Sequence, residues 1–359
     1  MQAFLENIPS AHVALALGVI TGLLFGALAQ QSRFCLRSAC VEFWRSKPGP
    51  KFAIWLFTFG TALLLTQWLM ATNQLQTGYV RQLSTTGSMS GAIVGGLLFG
   101  VGMVLARGCA SRLLVLSATG NQRALIAGLI VTVVAQASLR GVLSPAREHI
   151  SGWWMVDAPQ RDFSAYLPTG SAWLLAAACL LGAAWLARQH RVRMWLQLGA
   201  VGVGGSVALG WGLTQWHALW AFDVVAVKSV SFTGPSADTL MGLINEASFP
   251  MSFDTGIVMG VFAGAMAAAV IAREFKLQSF TEETGLARYI AGAVLMGFGG
   301  MLAGGCAVGA GITGGAVMAT TAWVALLCMW LAAGLTDALI DKPRAADAYA
   351  WLPTWLIRA

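Results

Sequence analysis

Charged residues are scarce in this sequence. Asp, Glu, Lys and Arg together make up 10% of its 359 residues, while hydrophobic residues make up 57%. A soluble globular domain carries roughly 25% charged residues, so this composition excludes an ordinary soluble enzyme or binding domain. Together with a mean hydropathy of +0.70, the scarcity of charge predicts a polytopic membrane protein in contact with the lipid bilayer.

Several enzyme motifs are also lacking. The sequence contains no GxxxxGK[ST] phosphate loop, and its six cysteines form neither a CxxC pair nor a metal-ligand spacing. We therefore predict that the protein is not an enzyme and holds no metal or cofactor. The apolar segments contain almost no Asp or Glu, so no coupling-ion site is indicated. Asp337, close to the end of the last segment, is expected at the membrane interface.

Long apolar runs are what the sequence has in abundance, and nine of them are long enough, or nearly so, to cross roughly 30 Å of hydrocarbon. They lie at residues 11–30, 52–71, 88–106, 123–143, 171–188, 196–213, 254–272, 289–304 and 321–339. The predicted fold class is an all-α polytopic membrane protein with about nine transmembrane helices and short re-entrant half-helices.

The basic residues predict how these spans are oriented. Residues 1–10 contain no Lys or Arg, which argues against a cleaved signal peptide and predicts an N-terminus outside. All but five of the 22 Lys and Arg residues then fall on the inner side, as the positive-inside rule requires. The five outer ones are Arg81, Arg140, Arg147, Arg161 and Lys228. The net charge of +7 thus indicates topology, not nucleic-acid binding, and predicts a cytoplasmic-membrane protein with its C-terminus inside.

Two stretches of the chain are almost copies of each other, LARGCASRLL at residues 105–114 and LAGGCAVGAG at 302–311. Each ends a glycine-spaced apolar run on Gly-Cys-Ala. We predict one transmembrane domain, residues 1–359, built as an inverted repeat of 1–143 and 196–340 around a linking span at 171–188. The short runs 110–119 and 307–320 are expected to form broken or re-entrant helices. A further helix is expected to begin near Thr233 or Ser236, with Pro235 in its first turn.

The cysteines are the candidate site residues. Cys109 and Cys306 follow Gly108 and Gly305 at matching helix ends, where free backbone N–H groups can hold an anion. Cys35 lies between Arg33 and Arg37, in the loop RFCLRSAC that follows the first span. A thiol adds a soft, polarizable contact, so a small anion with a sulfur end would use both features. Simple tight packing is the alternative interpretation. Cys179 and Cys328 are interpreted as small buried hydrophobes, and Cys40 remains undecided.

These motifs resemble the YeeE/YedE family of sulfur-compound transporters over nearly the whole chain. The resemblance implies a thiosulfate importer in which three cysteines line the path, at Cys35, Cys109 and Cys306 in this sequence. It also implies a small soluble sulfur-carrier protein as a cytoplasmic partner. Arg107 departs from the family pattern, which has a small residue there, and its charge is expected to affect anion affinity or preference.

Two other functions remain open from the residues alone. A membrane-embedded thiol oxidoreductase would need cysteine pairs within about 7 Å between Cα atoms, and the repeat places its thiols singly. A channel for small neutral solutes would leave the arginines near Cys35 and Cys109 without a purpose.

Overall fold

The chain is almost entirely helical in the computed structural model, which describes residues 9–45, 48–168, 170–221, 223, 225–245, 249–278 and 285–341. The N-terminal half contains α1 (Ser10–Ser32), α2 (Leu36–Trp44), α3 (Pro50–Ala71), α4 (Arg81–Ser84), α5 (Met89–Leu105), α6 (Ala110–Ala118), α7 (Gln122–Arg140), α8 (Ser144–Ser151) and α9 (Ala158–Arg161). The C-terminal half contains α10 (Ser171–Gln189), α11 (Met194–Trp220), α12 (Thr233–Asn245), α13 (Phe253–Ile271), α14 (Leu286–Leu302), a π-helix (Ala307–Gly314) and α15 (Thr320–Ile340). Two short 3₁₀ turns (Thr77–Tyr79 and Phe163–Tyr166) and two strands, β1 (Gly87–Ser88) and β2 (Met155–Val156), complete the described elements.

Nine segments of the described chain are long and apolar enough to cross a membrane. They are α1 with α2, α3, α5 with α6, α7, α10, α11, α13, α14 with the π-helix, and α15. This confirms the predicted all-α polytopic class and the nine spans. Among the single helices, α11 differs most from its predicted bounds, because it continues to Trp220 through the mixed polar and aromatic sequence TQWHALW.

Three further local expectations can be compared with the structure. The runs after Cys109 and Cys306 are short helices, as expected, and α12 begins at Thr233 with Pro235 in its first turn. The expectation of a loop after Cys35 is wrong, because Leu36–Trp44 forms helix α2. Leu36 and Ala39 are buried on one side of this helix, whereas the charged residues Arg37 and Glu42 are less buried, so the helix is amphipathic.

Asp337 lies near the end of α15, and its position at the membrane interface stays a prediction. Its side chain is completely buried within the protein. Both of its carboxylate oxygens accept hydrogen bonds from Arg45, from Nε at 2.8 Å and from Nη2 at 2.9 Å. A paired, bidentate geometry of this kind offsets the cost of burying a carboxylate, which the sequence pattern around Asp337 does not reveal.

Helices α1 and α13 pack directly backbone to backbone. Gly18, Gly22 and Gly26 repeat every four residues on α1 and face the matching series Gly256, Gly260 and Gly264 on α13. A Cβ on Gly22 would lie 2.6 Å from the carbonyl oxygen of Ile257, and one on Gly260 would lie 2.5 Å from that of Val19. Only glycine permits so close an approach, as in the GxxxG packing of membrane helices. We call this contact the glycine seam.

A second close crossing joins α5 and α14 in antiparallel fashion. Gly95 approaches the backbone of Gly299, and Gly102 approaches that of Gly292. Helix α5 also packs on α15, and α14 packs on α7. These contacts put the ends of α5 and α14 inside the bundle, and those ends carry Cys109 and Cys306.

The bundle has two faces, each joined by contacts between its connecting segments. On one face the loops pair at Asn121 with Gln278, and Arg33 pairs with Glu274; we call this the basic face. On the opposite, loop-rich face, β1 pairs with β2, and Val80 pairs with Val227. The five arginines and lysines predicted to lie outside all follow or precede spans on the loop-rich face.

Candidate functional site

Three membrane spans are broken, and each break ends on a cysteine. We call them break 1 (residues 33–35), break 2 (residues 106–109) and break 3 (residues 303–306). Two residues before the cysteine, the backbone adopts the left-handed region, with φ of 54° at Arg33, 54° at Arg107 and 78° at Gly304. L-residues other than glycine seldom adopt this conformation, so Arg33 and Arg107 are held there by the surrounding fold. The chain reverses locally and a new short helix starts.

Each cysteine occupies the N-cap position of the helix that follows its break. Cys35 precedes α2, Cys109 precedes α6, and Cys306 precedes the π-helix, all with extended backbone. The sulfur of each faces the backbone N–H three residues further on, at Ser38, Arg112 and Gly309 respectively. In break 3 this is a hydrogen bond, with Gly309 N donating to Cys306 Sγ at 3.4 Å. First-turn N–H groups have no partner within their helix, so they are available to an anion.

Breaks 1 and 2 meet in space. The side chains of Cys35 and Cys109 lie close enough to interact, and both are buried. Cys109 Sγ also lies 3.3 Å from the hydroxyl of Ser111, and the Ser38 hydroxyl lies close to Cys35. Two thiols and two hydroxyls therefore form one polar cluster, the dithiol cluster, although two long helices, α3 and α5, separate its two halves in sequence.

Arg112 adds the positive charge of this cluster, and the sequence interpretation missed it. Its guanidinium interacts electrostatically with both Cys35 and Cys109. Its Nη1 atom is buried and has no hydrogen-bond partner among the described residues. A buried, unpaired donor of this kind is costly and is satisfied when an anion binds. The sequence contained one indication of this role. Arg112 lies three residues after Cys109, which places it in the first turn of α6, close to the thiol.

The arginines predicted from sequence lie further out. Arg33 is exposed on the basic face, and its Nη2 donates to Glu274 Oε1 at 3.1 Å. Arg107 is exposed beside break 2. Arg37 pairs with Asp341 at 3.4 Å. Of the basic residues near breaks 1 and 2, Arg112 is the one brought to the dithiol cluster.

The two predicted glycines, Gly108 and Gly305, differ in how much space surrounds them. A Cβ on Gly305 would lie 2.7 Å from the backbone nitrogen of Ala310, so glycine is required where the π-helix folds back. A Cβ on Gly108 would lie 3.4 Å from Leu113, which is ordinary contact. Gly305 therefore shapes break 3 directly, whereas Gly108 is buried with room for a methyl group.

Break 3 borders a polar cavity on the loop-rich face. The cavity holds about 260 Å³ and is lined by Gly304, Thr85, Thr321, Arg81 and Arg161, among other residues, with no carboxylate in its described lining. Arg161 is only 8% exposed and donates to the carbonyl oxygens of Thr85 (2.7 Å) and Thr86 (3.2 Å). Burial and the nearby charge of Arg81 lower the pKa of Arg161 from the usual arginine value. We call this the diarginine cavity, and sequence analysis treated both arginines as topology signals alone.

The remaining cysteines lie elsewhere. Cys40 and Cys328 are buried, and Cys179 is partly buried within α10. Among the described residues, no three His, Cys, Asp or Glu side chains come close enough to share a metal ion. The arrangement is one of thiols, free N–H groups and unpaired guanidinium donors, which suits an anion.

A helical bundle whose broken spans meet in the membrane interior is the architecture of membrane transport proteins. The chain belongs to the sulphur transport family, whose model matches residues 31–335. This confirms the family resemblance drawn from the cysteine motifs.

Two relatives are similar over most of their length. The thiosulfate transporter TsuA of Escherichia coli K12 is 25% identical over 340 residues, covering 88% of this chain and 91% of the relative. The thiosulfate transporter TsuA of Spirochaeta thermophila is 25% identical over 324 residues, covering 86% of this chain and 93% of the relative.

Proposed function

We propose that the protein imports thiosulfate, or a related small sulfur-containing anion, across the cytoplasmic membrane along a path marked by Cys306, Cys109 and Cys35. The anion would be collected in the diarginine cavity, pass break 3, and leave through the dithiol cluster toward the basic face. The observation that carries this proposal is the shared geometry of the three breaks, each with a cysteine sulfur at the N-terminus of a short helix.

The energetics support this set of contacts. Moving an anion into a low-dielectric interior costs several kcal/mol per charge unless donors replace its lost water. First-turn N–H groups of α2, α6 and the π-helix offer such donors, and Arg112 adds a charge-assisted one. The thiols contribute a soft surface for the terminal sulfur of the anion. Sulfate or phosphate lacks that terminal sulfur and gains nothing from the thiols.

The inverted repeat remains part of the proposal. Residues 1–143 would correspond to 196–340, with α10 as the linking span. The helix contacts support this assignment: exchanging the halves turns the α1–α13 contact into the α11–α3 contact, and α5–α15 into α14–α7. A site between two repeats then has access to either face.

Membrane orientation is proposed from charge. The basic face would be cytoplasmic, with the N-terminus outside and the C-terminus inside. Residues 1–8 and 342–359 lie outside the described residues, as do Lys47, Lys342, Arg344 and Arg358 of the charge count. The soluble sulfur-carrier partner is proposed from the family resemblance.

The test is uptake of radiolabelled thiosulfate into proteoliposomes that contain this protein alone. Cys109→Ser and Cys306→Ser keep the size of the side chain and a hydroxyl donor but lose the soft sulfur. Each should lower uptake about ten- to hundredfold, which corresponds to losing one contact of about 1–3 kcal/mol. Cys179→Ser and Cys328→Ser are matched controls outside the breaks and should transport normally. Equal uptake by all four variants at matched protein levels would assign the cysteines of breaks 2 and 3 to packing.

One observation favours the alternative of a thiol oxidoreductase, namely the proximity of Cys35 and Cys109. Redox chemistry would convert this dithiol to a disulfide, passing two electrons and two protons to an acceptor in each cycle. Transport would leave both thiols reduced throughout. Counting free thiols per protein during thiosulfate uptake separates the two: a constant number supports transport, and a loss of two thiols that depends on Cys35 supports the enzyme.

A further inference from the structure

A large lipid-facing groove runs beside the glycine seam at the basic face. It holds about 1050 Å³ and lies between α1, α11 and α13. Its walls are apolar and include Leu23 and Leu24 of α1, Trp195 of α11, and Ala267 and Ile271 of α13. These side chains are exposed, Ile271 by 83% and Trp195 by 68%. A concave apolar slot on the outside of a membrane bundle has the shape and chemistry to take acyl chains.

The end of the groove at the basic face is cationic. Arg33, His190, Arg191 and Arg193 line it, and Glu274 is the single carboxylate of its described lining. That carboxylate is already engaged, since Arg33 and Gln30 both donate to it, at 3.1 and 3.0 Å. Arg191 and Arg193 are exposed and form no ion pair with a described residue. The rim therefore carries a net positive charge directly above an apolar slot.

We propose that this groove binds an anionic phospholipid, with its phosphate on Arg191 and Arg193 and its acyl chains along α1 and α13. The cationic rim matches the headgroup of such a lipid, and the apolar slot matches its acyl chains. Other occupants would match only one of these two parts. A free phosphate would use the rim and leave the slot empty, whereas a lipid of zero net charge would use the slot without neutralising the excess positive charge of the rim. Basic pockets between transmembrane helices on the cytoplasmic side recognise anionic headgroups in this way.

The location links the lipid to the helix that carries break 1. The phosphate would lie beside Arg33, which is part of break 1 and pairs with Glu274 across the end of the glycine seam. Occupancy would therefore hold α1 and α13 together at the end where the chain turns toward Cys35. The inference concerns lipid binding and stands independently of which anion the protein transports.

The role of the cationic rim is tested with purified protein in neutral detergent. Phosphatidylglycerol, phosphatidylcholine or inorganic phosphate is added to separate samples. Lipid retained per protein is counted by native mass spectrometry, and the apparent melting temperature is followed. Phosphatidylglycerol should be retained and should raise the melting temperature, while the other two should do neither. Arg191→Gln should weaken retention about fivefold, and the Arg191→Gln/Arg193→Gln double variant more than that. Arg273→Gln is the matched control, an exposed arginine on the same face with the same left-handed backbone but outside the groove.

The role of the apolar slot in binding acyl chains is tested by filling the slot with a larger side chain. Ala267→Trp leaves every charge in place and occupies the room for the acyl chains, so retention of phosphatidylglycerol should fall without a change in the rim. Equal retention of phosphatidylcholine, full stabilisation by inorganic phosphate, or unchanged retention in the double arginine variant would each overturn the proposal. A second copy of the chain in the groove would also overturn it, and a cross-link between copies through Ala267→Cys would reveal that arrangement.

Discussion

The side chains of Cys35 and Cys109 lie within interaction distance of each other although each precedes a different short helix. Break 1 and break 2 therefore come together in the fold, and the guanidinium of Arg112 interacts with both sulfurs. A buried guanidinium donor with no described protein partner next to two thiols is the feature of this structure that most directly supports the proposed anion path.

The first prediction concerns Arg112. Arg112→Gln removes the charge beside the dithiol cluster and should reduce thiosulfate uptake about tenfold or more, because a charge-assisted hydrogen bond contributes about 1.5–3 kcal/mol. Arg188→Gln is the control, an exposed arginine in the last turn of α10 that belongs to none of the breaks. Comparable loss in both variants, measured by proteoliposome uptake at equal reconstitution, would mean that general surface charge is responsible.

The second prediction uses the proximity of the two thiols. A mild oxidant such as copper–phenanthroline should join Cys35 and Cys109 in a disulfide and block uptake, and dithiothreitol should restore it. The Cys35→Ala protein should show no oxidant-sensitive block, since Cys109 then lacks its partner. Peptide mapping after alkylation would identify the bond. Persistence of the oxidant effect in Cys35→Ala would place the reactive pair elsewhere.

The third prediction concerns the diarginine cavity. Arg81→Gln should raise the thiosulfate concentration needed for half-maximal uptake by about three- to tenfold and leave the maximal rate nearly unchanged, because the exposed Arg81 helps to collect the anion before break 3. Increasing salt should weaken uptake by wild type more than by Arg81→Gln. Arg147→Gln, an arginine on the same face that is engaged with Glu148, is the control. An effect of Arg81→Gln on the maximal rate alone would contradict a role in collecting the anion.

The fourth prediction tests the glycine seam. Gly22→Ala places a methyl group 2.6 Å from a backbone oxygen of α13 and should destabilise the protein by about 1–3 kcal/mol through forced separation of α1 and α13. Gly205→Ala makes the same chemical change on α11, where the nearest atom of another residue is 3.9 Å away, and should be tolerated. Fluorescence-detected size exclusion after heating compares the two. Equal melting temperatures would show that the seam can open without cost.

The fifth prediction is a pH dependence at Asp238 on the loop-rich face. Desolvation by the surrounding protein and the neighbouring carboxylate of Asp254 raise the pKa of Asp238 above its ordinary value, although the residue is exposed. A raised pKa means that the folded state holds this proton more tightly than the unfolded state. The resulting contribution to stability is complete below the unfolded-state pKa and is lost as pH rises through the folded-state pKa.

The variant that checks this is Asp238→Asn, which mimics the protonated carboxyl. Its apparent melting temperature should exceed that of wild type at neutral pH, and the difference should shrink toward zero as the pH falls below the ordinary aspartate range. Asp157→Asn, at an exposed position on the same face, should show no such trend. A difference that is constant across the pH series would exclude titration of Asp238 as its cause.

Much of the architecture was predictable because it depends on local properties of the chain. A run of apolar residues long enough to span the bilayer is a helix wherever it occurs, since unpaired backbone groups are too costly in lipid. The sequence therefore determined the nine spans, a helix start at Thr233 or Ser236, and the short helices after Cys109 and Cys306. The cysteine motifs were specific enough to indicate the family as well.

What the tertiary structure alone decided are the contacts between segments distant in sequence. Which helices pack together decides four such relationships. They are the proximity of Cys35 and Cys109, the position of Arg112 beside both thiols, the pairing of buried Asp337 with Arg45, and the joining of Arg81 and Arg161 around one cavity. Small residues such as Gly22 and Gly260 determine that packing, because they allow the backbone of a second helix to approach closely. A single sequence contains the glycines but does not show which helix packs against them. For the same reason it does not show which charged residues lie on the surface, which form buried ion pairs and which belong to a site, because the packing of the helices decides this.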